Sequence, residues 1–321
     1  MRKGVFISIF VLLSAMHSHA QQVTQYSQYM LNVLGMNPAY AGEKGPMEFL
    51  IGRRTQWVGF SGAPVSNFAG GTVALGKKGF YHGWHGIGAY VEEDKAGMFT
   101  NKAFSLMYSY HKRLAHGYVF SAGLSLGMSI IGIDGSLHDL TDPALSAYPA
   151  IVNVFPLVTP GVRLYSKYMY FDLAVKQVLN NETVAFDGVK ELGTNNRLHP
   201  QILFTFGRRY VSANYAWVFT PSVQIHSSVL FLPAVEANFL AFYHKIIGLG
   251  ISYRNGDAII AMLQVHPTSK ITLGLAFDFS VSRLVNGYAN SQEAMFGFSP
   301  NGLPDQEIPR TRIARCPGFD L

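Results

Sequence analysis

The chain has 321 residues, 49% hydrophobic and 13% aromatic but only 14% charged, where a soluble globular domain carries roughly 25% charged residues. A single cysteine excludes a disulfide scaffold and any multi-cysteine zinc or iron–sulfur site, and the high apolar content excludes disorder. With 32 glycines, 15 prolines and a formal net charge of +6, the composition is that of an apolar, basic, exported or membrane-bound protein.

Arg2 and Lys3 form a basic start, Val5 to Met16 is mostly apolar, and Ser18-x-Ala20 places small residues where signal peptidase cuts. This pattern predicts a signal peptide over 1–20 with cleavage before Gln21. The apolar run is too short to span a bilayer comfortably, and no cysteine follows it as in a lipoprotein signal. Segment 21–46 is polar, tyrosine-rich and turn-forming around Asn37-Pro38. It reads as a plug inside a lumen, or a cover across the periplasmic mouth, with Tyr26, Tyr29 and Tyr40 as amphipathic anchors. A free tail is the competing possibility.

From residue 47 onward the apolar residues alternate with polar or small ones, the period of a strand. Phe120, Ala122, Leu124, Leu126, Met128 and Ile130 share one face, opposite Ser121, Gly123, Ser125, Gly127 and Ser129. The stretches from Phe171, Ile247 and Ile271 repeat the pattern. Fourteen strands are predicted: 47–57, 65–75, 84–93, 99–112, 117–131, 154–166, 168–177, 198–207, 214–227, 232–243, 245–254, 258–266, 270–281 and 291–298. A tilted membrane-spanning strand needs about 9–11 residues. A soluble sandwich also alternates, but long strands, low charge and a glycine- and serine-rich polar face favour a lumen. The expected fold is therefore all-β, a transmembrane outer-membrane β-barrel of antiparallel strands over 47–298. Asp172, Lys176, Arg254 and Asp278 fall on its lumen face, where they could line a pore or hold a plug.

Connection lengths orient the barrel. With an even strand number both chain termini of the barrel lie in the periplasm, where the turns are short. The even-to-odd connections are short, whereas 132–153 and 178–197 are the longest of the odd-to-even ones. Asn255-Gly256-Asp257 is a short exception on the loop side. The same division sorts the charge. Lys77, Lys78, Lys112, Arg113, Lys167, Arg208, Arg209, Lys245 and Lys270 fall at the predicted periplasmic connections, while the predicted outer loops lean acidic. A basic rim suits lipid phosphates of the inner leaflet or an acidic periplasmic partner. After Phe298, the tail 299–321 carries Pro300, Pro304, Pro309 and Pro317, which disfavour regular structure. Arg310, Arg312 and Arg315 make the tail basic, so it is expected to bind a periplasmic partner or fold back into the lumen.

No catalytic, cofactor or metal site emerges. His82 and His85 would point to opposite faces of a strand, and the other histidines are scattered without a telling spacing. Gly86-x-Gly88 and Gly248-x-Gly250 lack the helix that a phosphate loop requires. Asp134, Asp139 and Asp142 read as a solvated acidic loop rather than a calcium site. Basic residues at strand ends do not form the stripe of a nucleic-acid binder, so no nucleic acid is expected as a partner. Cys316 has no second cysteine to pair with and reads as a packing residue.

Two blocks near the N-terminus carry a family resemblance. They are Gln25-Tyr26-Ser27-Gln28-Tyr29-Met30-Leu31-Asn32 with Asn37-Pro38-Ala39-Tyr40-Ala41-Gly42, and Arg53-Arg54-Thr55-Gln56-Trp57-Val58-Gly59-Phe60 with Gly62-Ala63-Pro64. Pro221-Ser222, Gly250 to Ala258 with its Arg254-Asn255-Gly256-Asp257, Phe277-Asp278 and Ser291-Gln292-Glu293 follow in the second half. Together these resemble the PorP/SprF family of the Bacteroidetes type IX secretion system, over nearly the whole chain beyond the signal. The resemblance implies a non-enzymatic outer-membrane component of protein secretion, which in gliding relatives serves export of the surface adhesin. It further implies work with the periplasmic PorK/PorN ring and a peptidoglycan-binding lipoprotein of the PorE kind. The family tail commonly reads Cys-Pro-Arg-Phe, and here Gly318 stands where that arginine would be. The alternative from the residues alone is a plugged outer-membrane channel for a small or hydrophobic solute.

Overall fold

The computed structural model describes residues 24–76, 83–134, 150–183, 196–228, 231–281 and 290–301. The signal-peptide prediction, Lys77, Lys78, Arg310, Arg312, Arg315 and Cys316 lie outside them, as do Asp139 and Asp142. The barrel strands are β1 (Met47–Thr55), β2 (Val65–Leu75), β3 (Gly83–Ala96), β4 (Phe99–Arg113), β5 (Val119–Asp134), β6 (Ala150–Tyr165) and β7 (Met169–Lys176). They continue as β8 (Gln201–Arg208), β9 (Trp217–Ser228), β10 (Phe231–Tyr243), β11 (Ile247–Arg254), β12 (Ala258–Thr268), β13 (Ile271–Ser280) and β14 (Ser291–Phe298). Each pairs antiparallel with its sequence neighbours. Closure comes from β1 against β14, with Phe49 opposite Phe298 and Thr55 opposite Gln292. The result is a closed antiparallel barrel of 14 strands. Closure matters physically because an open edge would leave unpaired N–H and C=O groups in hydrocarbon.

The strand count and order agree with the alternation in the sequence; the ends differ. β3 runs on to Ala96, and a two-residue turn with Gly97 at φ +57° leads straight into Phe99. β5 and β6 extend to Asp134 and from Ala150, well past the predicted 131 and 154, because their backbones stay paired from Val119–Tyr165 up to Asp134–Ala150. Two short pairs lie outside the barrel count. Tyr210–Val211 adds to the edge of β9, and Glu182–Thr183 pairs with Asn196–Arg197 within the β7–β8 connection.

Alternation sorts the side chains into an apolar outside and a packed inside. Leu106 (56%), Leu126 (55%), Leu249 (64%) and Ile251 (59%) project outward. Tyr90, Met107, Phe242, Ile260 and Met262 are buried within. No helix of the described residues is long and apolar enough to cross a membrane, so the apolar belt belongs to the strands. Replacing Leu126, in mid-strand on this belt, by Arg is expected to cost about 2–4 kcal/mol of folding free energy in lipid vesicles. Denaturant titration of L126R beside the wild type checks this, and an unchanged midpoint would contradict a lipid-facing Leu126.

Candidate functional site: a plugged lumen with a basic rim

The interior is filled by the chain's own N-terminal segment. We call the end where β1 begins and β14 finishes the turn end, and the opposite end the loop end. Residues 24–46 pass down the lumen from the loop end to the turn end, and Pro46 then leads into β1, its carbonyl accepting from Ala74 N at 3.1 Å. Tyr26, Tyr29 and Tyr40 are all buried, between 1% and 4% exposed. Each hydroxyl is partnered: Tyr26 donates to Glu92 (2.9 Å), Tyr40 donates to Glu48 (3.0 Å), and Tyr29 pairs with Ser222 (2.6 Å).

A short irregular segment can sit here only if its backbone polar groups find partners. Asn37-Pro38-Ala39-Tyr40-Ala41-Gly42 achieves this residue by residue. Asn37 caps a single 3-10 turn over Pro38–Tyr40, its Oδ1 accepting from Ala39 N at 3.0 Å. Pro38 occupies the first helical position, where its missing N–H costs nothing. The Ala39 carbonyl accepts from Ser121 Oγ (2.7 Å), and the Ala41 carbonyl from Ser109 Oγ (2.6 Å). Gly42, at φ +75°, donates to Thr72 Oγ1 (2.6 Å) and accepts from Trp84 Nε1 (2.9 Å). The wall opposite is built from glycines because nothing larger fits. A Cβ on Gly86 would lie 1.9 Å from the Ala41 carbonyl oxygen, on Gly123 2.4 Å from Ala39 N, and on Gly161 2.1 Å from Asn37 Oδ1.

Two buried ionic clusters fasten the segment. Near the loop end, Ser27 sits among five charged wall residues. Its hydroxyl donates to Asp278 (2.8 Å) and accepts from Arg54 Nη1 (2.8 Å) and Arg254 Nη2 (3.2 Å). Ser27 N and Gln28 N each donate to a Glu293 oxygen at 2.8 Å. Arg54 pairs with Asp278 (2.6 Å) and Glu293 (3.4 Å), and Arg254 with Glu236 (2.8 Å) and Asp257 (3.0 Å). Nearer the turn end, Arg163 bridges Glu43 (2.5 Å) and Asp172, and Asn37 Nδ2 adds a bond to Asp172 at 3.2 Å. The rings of Tyr40, Tyr165 and Tyr170 surround the Arg163 guanidinium, Tyr170 closest at 4.7 Å.

Of the four residues placed on the lumen face from sequence, Asp172, Arg254 and Asp278 are buried in these clusters and hold the segment rather than line an open pore. Lys176 instead borders a cavity of about 130 Å³ between segment and wall, with Thr24, Tyr90, Glu92 and Asp94. Arg54, Arg163, Glu236, Glu293 and Glu43 complete the clusters and were missed as site residues. A charged side chain on the glycine and serine face of a strand was the signal available for Arg163.

The rim residues divide. Lys112, Arg113, Lys167, Arg208 and Lys270 are exposed at the turn end. Arg113 lies over the Trp84 ring (5.6 Å), Lys167 over Tyr168 (4.9 Å) and Arg208 over Tyr210 (5.0 Å). Arg209 is half-buried with an unpartnered Nε. Lys245 corrects the expectation of an available rim charge. It is 4% exposed, at φ +57° in the Tyr243–Ile247 turn, so its side chain packs inward instead of presenting its charge to a partner. No cluster of metal-binding side chains occurs among the described residues.

A closed, apolar-belted barrel whose lumen is plugged by its own N-terminal segment is a protein of the outer-membrane β-barrel class. A family described as "Type IX secretion system membrane protein PorP/SprF" matches residues 18–298. The chain belongs to the PorP/SprF family. Among solved structures it is similar to the CymD monoaromatic hydrocarbon channel, with 9% identity over 88% of this chain and 94% of that one and a TM-score of 0.46. It is also similar to the Ralstonia pickettii toluene transporter TbuX (9% identity, 84% and 92% covered, TM-score 0.46). A Pseudomonas aeruginosa FadL homologue gives 7% identity, 78% and 87% coverage and a TM-score of 0.42. These likenesses carry nothing about cargo or solute. No curated protein matches the chain.

One prediction tests the anchoring. Removing Arg54 leaves Glu293 buried without its cation and Asp278 with only Arg254, 3.5 Å away, a loss of about 3–5 kcal/mol. R54A should therefore expose 24–46 to protease while the barrel stays intact, and equal resistance of variant and wild type would refute the anchor.

Proposed function

We propose that this protein is a non-enzymatic outer-membrane component of type IX secretion, whose basic turn end docks periplasmic components of the machine and supports export of cargo. The family supplies the general role. The observation that carries the docking reading is the arrangement of charge around a filled lumen. Lys112, Arg113, Lys167 and Lys270 stand exposed around one mouth, and that mouth is the periplasmic one by the even-strand rule. The lumen behind it is occupied by 24–46 and fastened by two buried ionic clusters, which favours a docking platform over a solute channel.

The partners this reading names are the PorK/PorN ring and a PorE-like peptidoglycan-binding lipoprotein, with outer-membrane lipids around the belt. A basic rim steers and orients an acidic surface at long range, and this attraction weakens with salt. The tail 299–321, with Arg310, Arg312 and Arg315, is assigned to the same periplasmic side.

The test is charge reversal of the exposed rim. The combined variant K112E/R113E/K167E/K270E should reach the outer membrane and keep its heat-modifiable gel mobility, yet lose co-purification of ring components and secretion of cargo. Undiminished co-purification would remove the docking reading. Loss of solute uptake in a deletion strain with secretion intact would favour the channel instead.

A further inference from the structure

The outward face of the barrel carries a groove that the proposed secretion role does not use. It lies on the wall of β8 to β12 and encloses about 630 Å³, where a single water claims roughly 30 Å³. It exists because small outward residues alternate with bulky ones. Val223 and Ala237 face each other across the β9–β10 ladder, and Phe206 and Tyr253 stand in register beside them on β8 and β11. Phe239 and Ile251, 46% and 59% exposed, form the rest of the walls. One end of the groove is apolar. At the other, Arg208 is the last residue of β8, at the turn end. It is exposed, has no carboxylate partner among the described residues, and is held over the Tyr210 ring at 5.0 Å.

We propose that this groove is a binding site for one anionic glycerophospholipid of the inner leaflet, with an acyl chain along Phe239, Ile251 and Tyr253 and its phosphate on Arg208. Three features select that occupant. The apolar part lies within the belt that faces hydrocarbon, where a lipid tail is the molecule at hand. The single cation stands at the rim, at headgroup level. Its planar, forked donor set suits a phosphate, and its stacking on Tyr210 pre-orients it at low entropic cost. The assignment of leaflet rests on the outer-membrane orientation used above.

The experiment is native mass spectrometry of the full-length barrel, purified in detergent and titrated with dioleoylphosphatidylglycerol, with dioleoylglycerol or inorganic phosphate as controls. Retention of one phosphatidylglycerol, and of neither control, is expected. R208E should weaken retention roughly fivefold or more, the weight of one basic residue at an anionic surface, and R208K should recover part of it. A237W, which fills the groove floor and leaves Arg208 in place, should also abolish retention. Heat-modifiable mobility shows that each variant is folded, and ring co-purification shows separately whether the secretion role survives. Equal retention by wild type, R208E and A237W overturns the site. So does equal retention of dioleoylglycerol, or a photo-crosslinker at Tyr253 that captures a second protein instead of lipid in the outer membrane.

Discussion

Everything inside this barrel follows from the need to satisfy the polar groups of a non-helical segment in a closed, strand-walled tube. A strand wall spends most of its own N–H and C=O groups in the ladder, so beyond a few backbone groups such as Ala74 N and the Val162 carbonyl it has mainly side chains to offer a plug. The wall answers with serines, a threonine and a tryptophan aimed at plug carbonyls and amides, and with charged residues where the segment meets the ends of the strands. The glycines serve the same end by letting the plug backbone come within reach of those side chains. One constraint thus explains the glycine excess, the serine-rich inner face and the buried charges together.

Buried charge is seldom a source of net stability, since desolvation offsets most of the attraction. Its value here is positional. Arg54, Arg254, Asp278, Glu236 and Glu293 come from five strands, β1, β11, β13, β10 and β14, and meet around the one hydroxyl and two amides of Ser27 and Gln28. β1 and β14 form the seam at which the barrel closes. Arg54 and Glu293 face each other across that seam, so the plug and the closure are held by the same side chains.

The architecture was legible because alternation needs only neighbouring residues. Phe120 to Ile130 declares its two faces in eleven letters, and the same pattern recurs around the barrel. The clusters were legible only in part. Asp172, Arg254 and Asp278 stand on inner faces by alternation, so their burial could be read, but not what they hold. Glu43 and Arg163 are 120 residues apart, and Ser27 and Glu293 are 266 apart; no local spacing links such pairs. Lys245 shows the opposite failure. A lysine in a short turn reads as exposed, and a left-handed backbone conformation turns it inward.

The segments that carry the family resemblance were scattered along the sequence, and the fold gives them a common address. Ser27, Asn37 to Gly42, Arg54, Ser222, Arg254, Asp257, Asp278 and Glu293 all lie on the plug or on wall positions that contact it or its anchors. The family signature gathers mainly on the plug and its fastening, with Trp57 to Pro64 and Asn255 to Asp257 in connections at the loop end, so most of the shared physical element lies inside the barrel. The basic turn end, which would meet periplasmic partners, lies elsewhere on the molecule. A common plugged frame can then carry different surfaces, because changing Lys112 or Lys270 disturbs no contact that closes the lumen, whereas changing Arg54 disturbs several at once.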